Sequence, residues 1–251
     1  MTQGRTEGFF TFGVAPNEYD LPHPPLGLPV ILLVRRVLLR AFALLREQQF
    51  QFATASEDEI TAALKRVIQN NFLESGKIVP GFSKRTFNPI VRQGQWENYN
   101  GTVLTKTPDL FFSLRDDGCE PQRIISEFNG LFVECKPIDK RHPVGGKYCD
   151  DGLSRFVLGH YAWAMSEGMM LGYSRDDRTI AANLIPAMNE PPRLQSLATV
   201  ELPKICSHPQ AAAVQAAEAI HISRHRRNFP WRDNKGNATD IKIYHLWHRC
   251  D

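Results

Sequence analysis

Two carboxylates and one amine stand where they can act together on a phosphodiester. Asp109 follows Pro108 at the head of an apolar run, Leu110-Phe111-Phe112, and Glu134 and Lys136 close a second run, Leu131-Phe132-Val133. Side chains alternate along a strand, so Glu134 and Lys136 project from one face while Cys135 points the other way with Val133 and Leu131. If the two runs pair as neighbouring strands, Asp109 comes beside Glu134. The two carboxylates and the Cys135 carbonyl oxygen then offer hard oxygen ligands to Mg²⁺, with Mn²⁺ as a substitute. Such an ion stabilises charge on a phosphate and lowers the pKa of a bound water. Lys136 can orient that water or support the developing negative charge. Taken alone, a Glu-x-Lys at a strand end is most often a solvated edge, so the surrounding elements decide its meaning.

Those elements read as follows. Leu28 to Leu45 is apolar at helical spacing, but Arg35, Arg36 and Arg40 inside it disfavour a membrane span. It reads as a helix packed within the protein or against a partner, which allows a homodimer or a partner subunit. A polar, proline-rich lead precedes it, unlike the basic start of a signal peptide. A second helix starts at Ser56, which with Glu59 forms a capping box; Ile60, Ala63, Leu64, Val67, Ile68 and Phe72 make its buried stripe. Strands are expected around Pro89-Ile90-Val91, Leu110 to Leu114 and Leu131 to Lys136, with a polar turn at Arg115 to Gln122. Leu153, Phe156, Val157, His160, Tyr161 and Ala164 predict another helix, and Met169 to Tyr173 a fourth strand. Beyond these, Pro186 to Pro203 is broken by prolines, Gln210 to Ala219 is alanine-rich and helical, and 220–227 with 240–247 form a closing hairpin.

Pro108-Asp109 followed by Glu134-Cys135-Lys136, in this order of elements from Ser56 to Tyr173, resembles the PD-(D/E)XK, or restriction-endonuclease-like, nuclease superfamily. The resemblance covers roughly half of the chain. It implies an α/β fold with a central mixed four- to five-stranded sheet flanked by helices. An N-terminal arm and apolar helix (1–50) would precede a nuclease-like domain (51–251) that ends in a C-terminal hairpin extension. It further implies a Mg²⁺-dependent endonuclease acting on double-stranded DNA, in defence against foreign DNA. Asp109 and Glu134 would hold the metal with the Cys135 carbonyl, and Lys136 would belong to the hydrolytic centre. Some members add a glutamate from the first core helix; that position falls on Glu59, for which the capping box is an equally sufficient role. Arg155 stands where related exonucleases carry a glutamine and is a candidate for substrate contact.

His221, Ser223, His225 and Arg227 share one strand face in the most basic stretch of the chain, which makes His225 and Arg227 further candidates for phosphate contact. A solvated edge strand explains the same pattern equally well. His221 and His225 have no evident third partner for a metal. Lys140, Arg141, His142 and Lys147 make a basic loop after the proposed centre. Trp231, Trp247, Met165, Met169 and Met170 read as packing residues.

The 251 residues carry a net charge of only +3, so a nucleic-acid partner has to be argued from local patches. Five scattered cysteines without a CxxC pair argue against a zinc knuckle and fit reduced thiols in the cytoplasm. No phosphate-binding loop of the Walker type and no Gly-x-Ser-x-Gly elbow occurs, which excludes the signatures of ATP hydrolysis and of α/β-hydrolase esterases. Three readings of different class remain: a metal-dependent nuclease, a catalytically inactive nucleic-acid-binding or assembly subunit of a larger complex, and an interaction module that works through the apolar Leu28 to Leu45 helix.

Overall fold

A computed structural model describes residues 21–103, 107–115, 127–212, 219–231 and 235–250. The chain is α/β: a mixed, open six-stranded sheet flanked by helices. The strands are β1 (Leu110–Phe112), β2 (Leu131–Ile138), β3 (Glu167–Ser174), β4 (Thr199–Ile205), β5 (His221–His225) and β6 (Ile241–Arg249). Their order in the sheet is β1-β2-β3-β6-β5-β4. The central three, β2, β3 and β6, are mutually parallel, whereas β1 and β5 join their neighbours antiparallel.

Every residue of β2 and of β3 is buried, as befits parallel strands covered on both faces. Side-chain parity divides the core. Leu131, Val133, Cys135, Met169, Leu171, Tyr173 and Leu246 pack towards α1 (Leu28–Glu47) and α2 (Glu57–Val67). Phe132, Ile138, Met170, Ile243 and Trp247 face the opposite layer. That layer begins with Val144–Leu153, a run of wide π-helical turns, and continues into the single α-turn α3 (Ser154–Val157). After further wide turns at Ile180–Leu184 come α4 (Ile185–Asn189) and α5 (Pro191–Ser196), and α6 (Pro209–Ala212) lies between β4 and β5.

Of the two placements open to the apolar helix, within the protein or against a partner, the first holds for its apolar face, which is part of this core. Ile31, Val34, Leu38, Ala41, Phe42 and Leu45 form the buried stripe of α1. Phe42 stacks on His248 at 3.8 Å between ring centroids and meets Phe52 and Tyr173 at 5.7 and 5.9 Å. Arg36 and Arg40 are exposed, but Arg35 is buried and donates to the Ala211 carbonyl. The buried carboxylate of Glu167 at the start of β3 accepts the Leu26 and Gly27 N–H groups ahead of α1 and the Tyr244 hydroxyl of β6. The helix at 28–47 and the sheet therefore share one core, and the apolar face of α1 is covered within the chain. No helix among the described residues is long and apolar enough to cross a membrane.

Other expectations are corrected. The sheet has six strands, not four or five. The C-terminal hairpin is no extension, because β6 lies between β3 and β5 near the sheet centre. The proline-broken tail contains α4, α5 and the edge strand β4. The helix expected through Ala164 ends at Val157: Leu158 and Gly159 close the turn, and Gly159 and Ala162 adopt positive φ. The strand expected near Pro89-Ile90-Val91 shrinks to an isolated bridge, Val91 to Phe111. Within the alanine-rich segment the described helix ends at Ala212, and 213–218 lie outside the described residues, as do 116–122 of the expected turn and Cys119. The expected packing roles of Met165, Met169, Met170, Trp231 and Trp247 agree with their burial.

Because α1 closes one face of the sheet, Phe42→Ala is expected to remove about 3–5 kcal/mol of stability in urea unfolding. A loss under about 1 kcal/mol would mean that α1 is not part of the core.

Candidate active site

The antiparallel register pairs Leu110 with Val133, which brings Asp109, just before β1, level with Glu134. Asp109 and Glu134 face the same side as Phe111 and Phe132, towards the layer that contains α3. Asp109 is buried, and its Oδ2 accepts the Cys135 N–H at 2.7 Å. Glu134 is completely buried. Its Oε1 is 2.9 Å from Lys136 Nζ and 2.7 Å from Arg155 Nη1, and its Oε2 accepts the Tyr161 hydroxyl at 2.5 Å. Lys136 Nζ also donates to the Cys135 carbonyl at 2.9 Å and pairs with Glu57 Oε1 at 2.7 Å.

Each partner arrives by a local structural necessity. Gly152 leaves room for the lysine: a Cβ there would meet Met170 Cε at 2.8 Å and Lys136 Cγ at 3.4 Å. The turn after α3 delivers Tyr161, whose ring packs on Phe156 and stacks over Phe132. Arg155, on α3, keeps about a third of its side chain exposed, so it bridges the buried carboxylate and solvent.

Burial and the adjacent Glu134 charge push Asp109 up to about 7, against partial relief from Lys136 and the Cys135 N–H. Burial also raises Glu134, although Lys136, Arg155 and the Tyr161 hydroxyl favour its charge. Burial works against the Lys136 ammonium, but the charges of Glu134, Asp109 and Glu57 outweigh it and hold the amine above the ordinary lysine value.

Asp109, Glu134, Lys136 and Arg155 are thus gathered at one point. The remaining candidates are not. Glu59 closes the capping box at the start of α2, its Oε2 accepting the Ser56 N–H at 2.7 Å, and lies away from the centre. The glutamate of α2 that reaches the site is Glu57, two residues earlier. The capping box was the available signal: once Glu59 is committed to Ser56, the first turn leaves Glu57 and Asp58 as the acidic side chains able to face the sheet. Tyr161 carried no signal beyond its apolar spacing.

His225 and Arg227 are also corrected. Both are buried, because the β5 face that carries His225 is covered by the chain. His225 is hydrogen-bonded to Ser223 Oγ at 2.8 Å and to the Leu197 carbonyl at 2.9 Å, and burial lowers it to about 4. Arg227 donates to the carbonyls of Thr239, Ala162 and Trp163. Neither side chain offers a surface to a phosphate. In the basic loop, His142 pairs with Asp139 and Lys147 with Asp151.

Among the described residues no three carboxylate, imidazole or thiol side chains converge closely enough to hold a metal ion by themselves. The donor set nevertheless suits a hard cation. The Lys136 ammonium already lies 2.9 Å from both Glu134 Oε1 and the Cys135 carbonyl, two of the expected ligands, so this spot accepts positive charge. With Asp109 beside it, the cluster supplies carboxylate and carbonyl oxygens, the ligand chemistry of Mg²⁺ and Mn²⁺. Compared with known proteins, the chain matches no family model, no curated protein and no solved structure.

The position of Asp109 sets a pH dependence. A carboxyl raised from 3.8 to about 7 on folding contributes stability that is complete below its unfolded value and lost as pH rises through its folded value. Between about pH 4 and pH 8 this amounts to on the order of 4 kcal/mol. Asp109→Asn keeps the acceptor for the Cys135 N–H and lacks the charge. Its stability relative to the parent, measured by urea unfolding without divalent cations, is expected to climb by a few kcal/mol from pH 5 to pH 8. A constant difference would refute the buried, charge-opposed carboxyl.

Proposed function

We propose that this chain is a divalent-metal-dependent nuclease of the restriction-endonuclease-like class, hydrolysing phosphodiester bonds of double-stranded DNA. The observation that carries the reading is the convergence of Asp109, Glu134 and Lys136 on the paired strands β1 and β2, with Lys136 placed against the oxygens a metal would use. The layout supports it as well. An aspartate opens β1, a Glu-x-Lys lies in the antiparallel β2, and a helical crossover leads to the parallel β3.

In this reading Asp109, Glu134 and the Cys135 carbonyl would hold the cation, which supplies charge stabilisation on the phosphate and acidifies a water. The protein's own parts are then distinct. Glu57 offers Lys136 an anionic partner outside the pair of metal-binding carboxylates, so the ammonium stays in the site as a fixed positive charge beside the scissile phosphate. Tyr161 and Arg155 hold the Glu134 carboxylate in one orientation. Arg155, with its exposed side, is the group best placed to meet a non-bridging phosphate oxygen.

One observation favours a second reading, an inactive nucleic-acid-binding or assembly subunit: two cations and a hydroxyl already occupy Glu134. Cleavage separates the two. With Mg²⁺ or Mn²⁺ the parent chain is expected to cut duplex DNA, and Asp109→Ala and Lys136→Ala are each expected to lower the rate by about a hundredfold or more. Cleavage that survives both substitutions would sink the nuclease reading. A parent chain that binds DNA and never cuts it would establish the second.

A further inference from the structure

A second cationic feature lies on the far side of α2. Lys65, Arg66 and Asn70 of the helix and its continuation face Arg92 and Ile90 of the loop that leads on to β1 across an open concavity of about 440 Å³, lined also by Ala62. Among the described residues no carboxylate lines it. Neither Lys65 nor Arg66 has an ion-pair partner among the described residues, and Arg66 is exposed. Arg92 pairs with Asp58 at 3.1 Å, and its Nε is buried without a hydrogen-bond partner among the described residues.

The concavity is tied to the candidate active site along two routes. Through α2, Lys65 lies two turns from Glu57, about 12 Å along the axis, and Glu57 contacts Lys136. Through the loop, the Ile90 N–H is held by Gln69 Oε1 at 3.0 Å, Gln93 by Asp58 Oδ1 at 2.8 Å, and Val91 bridges to Phe111 of β1, the strand that Asp109 opens. An anion seated at Lys65, Arg66 and Arg92 is therefore at a fixed offset from both carboxylates.

We propose that this concavity is a phosphate-binding subsite that holds the DNA backbone away from the bond to be cut. The proposal rests on the nuclease reading for the identity of its ligand. Lys65 and Arg66, unpaired among the described residues, with the Asp58-paired Arg92 beside them, suit backbone phosphates, which demand charge and no base recognition. The subsite sets register and affinity and takes no part in the chemical step.

The test is binding of a fluorescent duplex to the full chain in Ca²⁺ over a series of salt concentrations, with Lys65→Gln/Arg66→Gln as the variant and circular dichroism to verify its fold. The variant is expected to bind about tenfold more weakly near 0.15 M salt, with the slope of log K against log salt shallower by about 1.8. An unchanged slope and affinity in a chain that cuts DNA would overturn the subsite and leave the nuclease reading standing. A shallower slope in a chain that never cuts would do the reverse. Failure of the parent to bind duplex at all would overturn both. Poly-glutamate that displaces the duplex at equal charge concentration, with an affinity lost on the same substitutions, would show an acidic protein surface to be the ligand and overturn the DNA subsite.

Discussion

The fold is organised around a carboxylate that has no access to water. An ionised group inside an apolar interior is tolerated only when its oxygens are fully satisfied by opposite charge and hydrogen bonds. Glu134 meets that condition with an amine from its own strand, a guanidinium from α3 and a phenol from the turn beyond it. The amine in turn needs Glu57 at the start of α2, and Asp109 needs the backbone N–H that follows Glu134. Elements on both sides of the sheet must therefore be in place together. Removing any one partner exposes the rest to an uncompensated charge, so the cluster ties the two helical layers into a single cooperative unit.

Much of this was legible in the residues. The alternation at 131–136 placed Glu134 and Lys136 on one side and Cys135 on the other, and the Pro-Asp ahead of Leu110 marked the partner strand. The capping box located the start of α2. The faults have physical causes. β2 and β3 are covered on both faces, so the alternation that distinguishes inside from outside carries no such meaning there. The same applies to β5: spacing put His225 with His221 and Ser223, but spacing is silent about whether a face meets solvent or another layer. The position of β6 beside β3 is a matter of sheet order, which depends on contacts across some 70 residues and leaves no local trace. The end of α3 at Val157 shows tertiary packing overriding a helical period: the chain turns at Gly159 to deliver Tyr161 to Glu134.

In the proposed nuclease, function and stability pull in opposite directions at this centre. Grouping Asp109 with Glu134 is unfavourable in an apolar setting, and the Asp109 carboxyl responds by holding its proton towards neutrality. Groups displaced in this way concentrate where charge is used, because a site built to attract a cation must carry more negative charge than its surroundings would choose. Structural ion-pair networks perturb titration too. Here the excess acidity is met by an ammonium lodged against a carbonyl and a carboxylate.

The sheet order has a consequence for biogenesis. β3 gains its second neighbour only when residues 241–249 have been made, some 65 residues after β3 itself. Until then a strand that the finished fold buries along its whole length presents an open row of N–H and C=O groups. Such an edge recruits other chains readily. A nascent or truncated polypeptide lacking that last strand therefore exposes the stickiest part of the molecule, and its survival depends on rapid completion or on a chaperone that shields the gap.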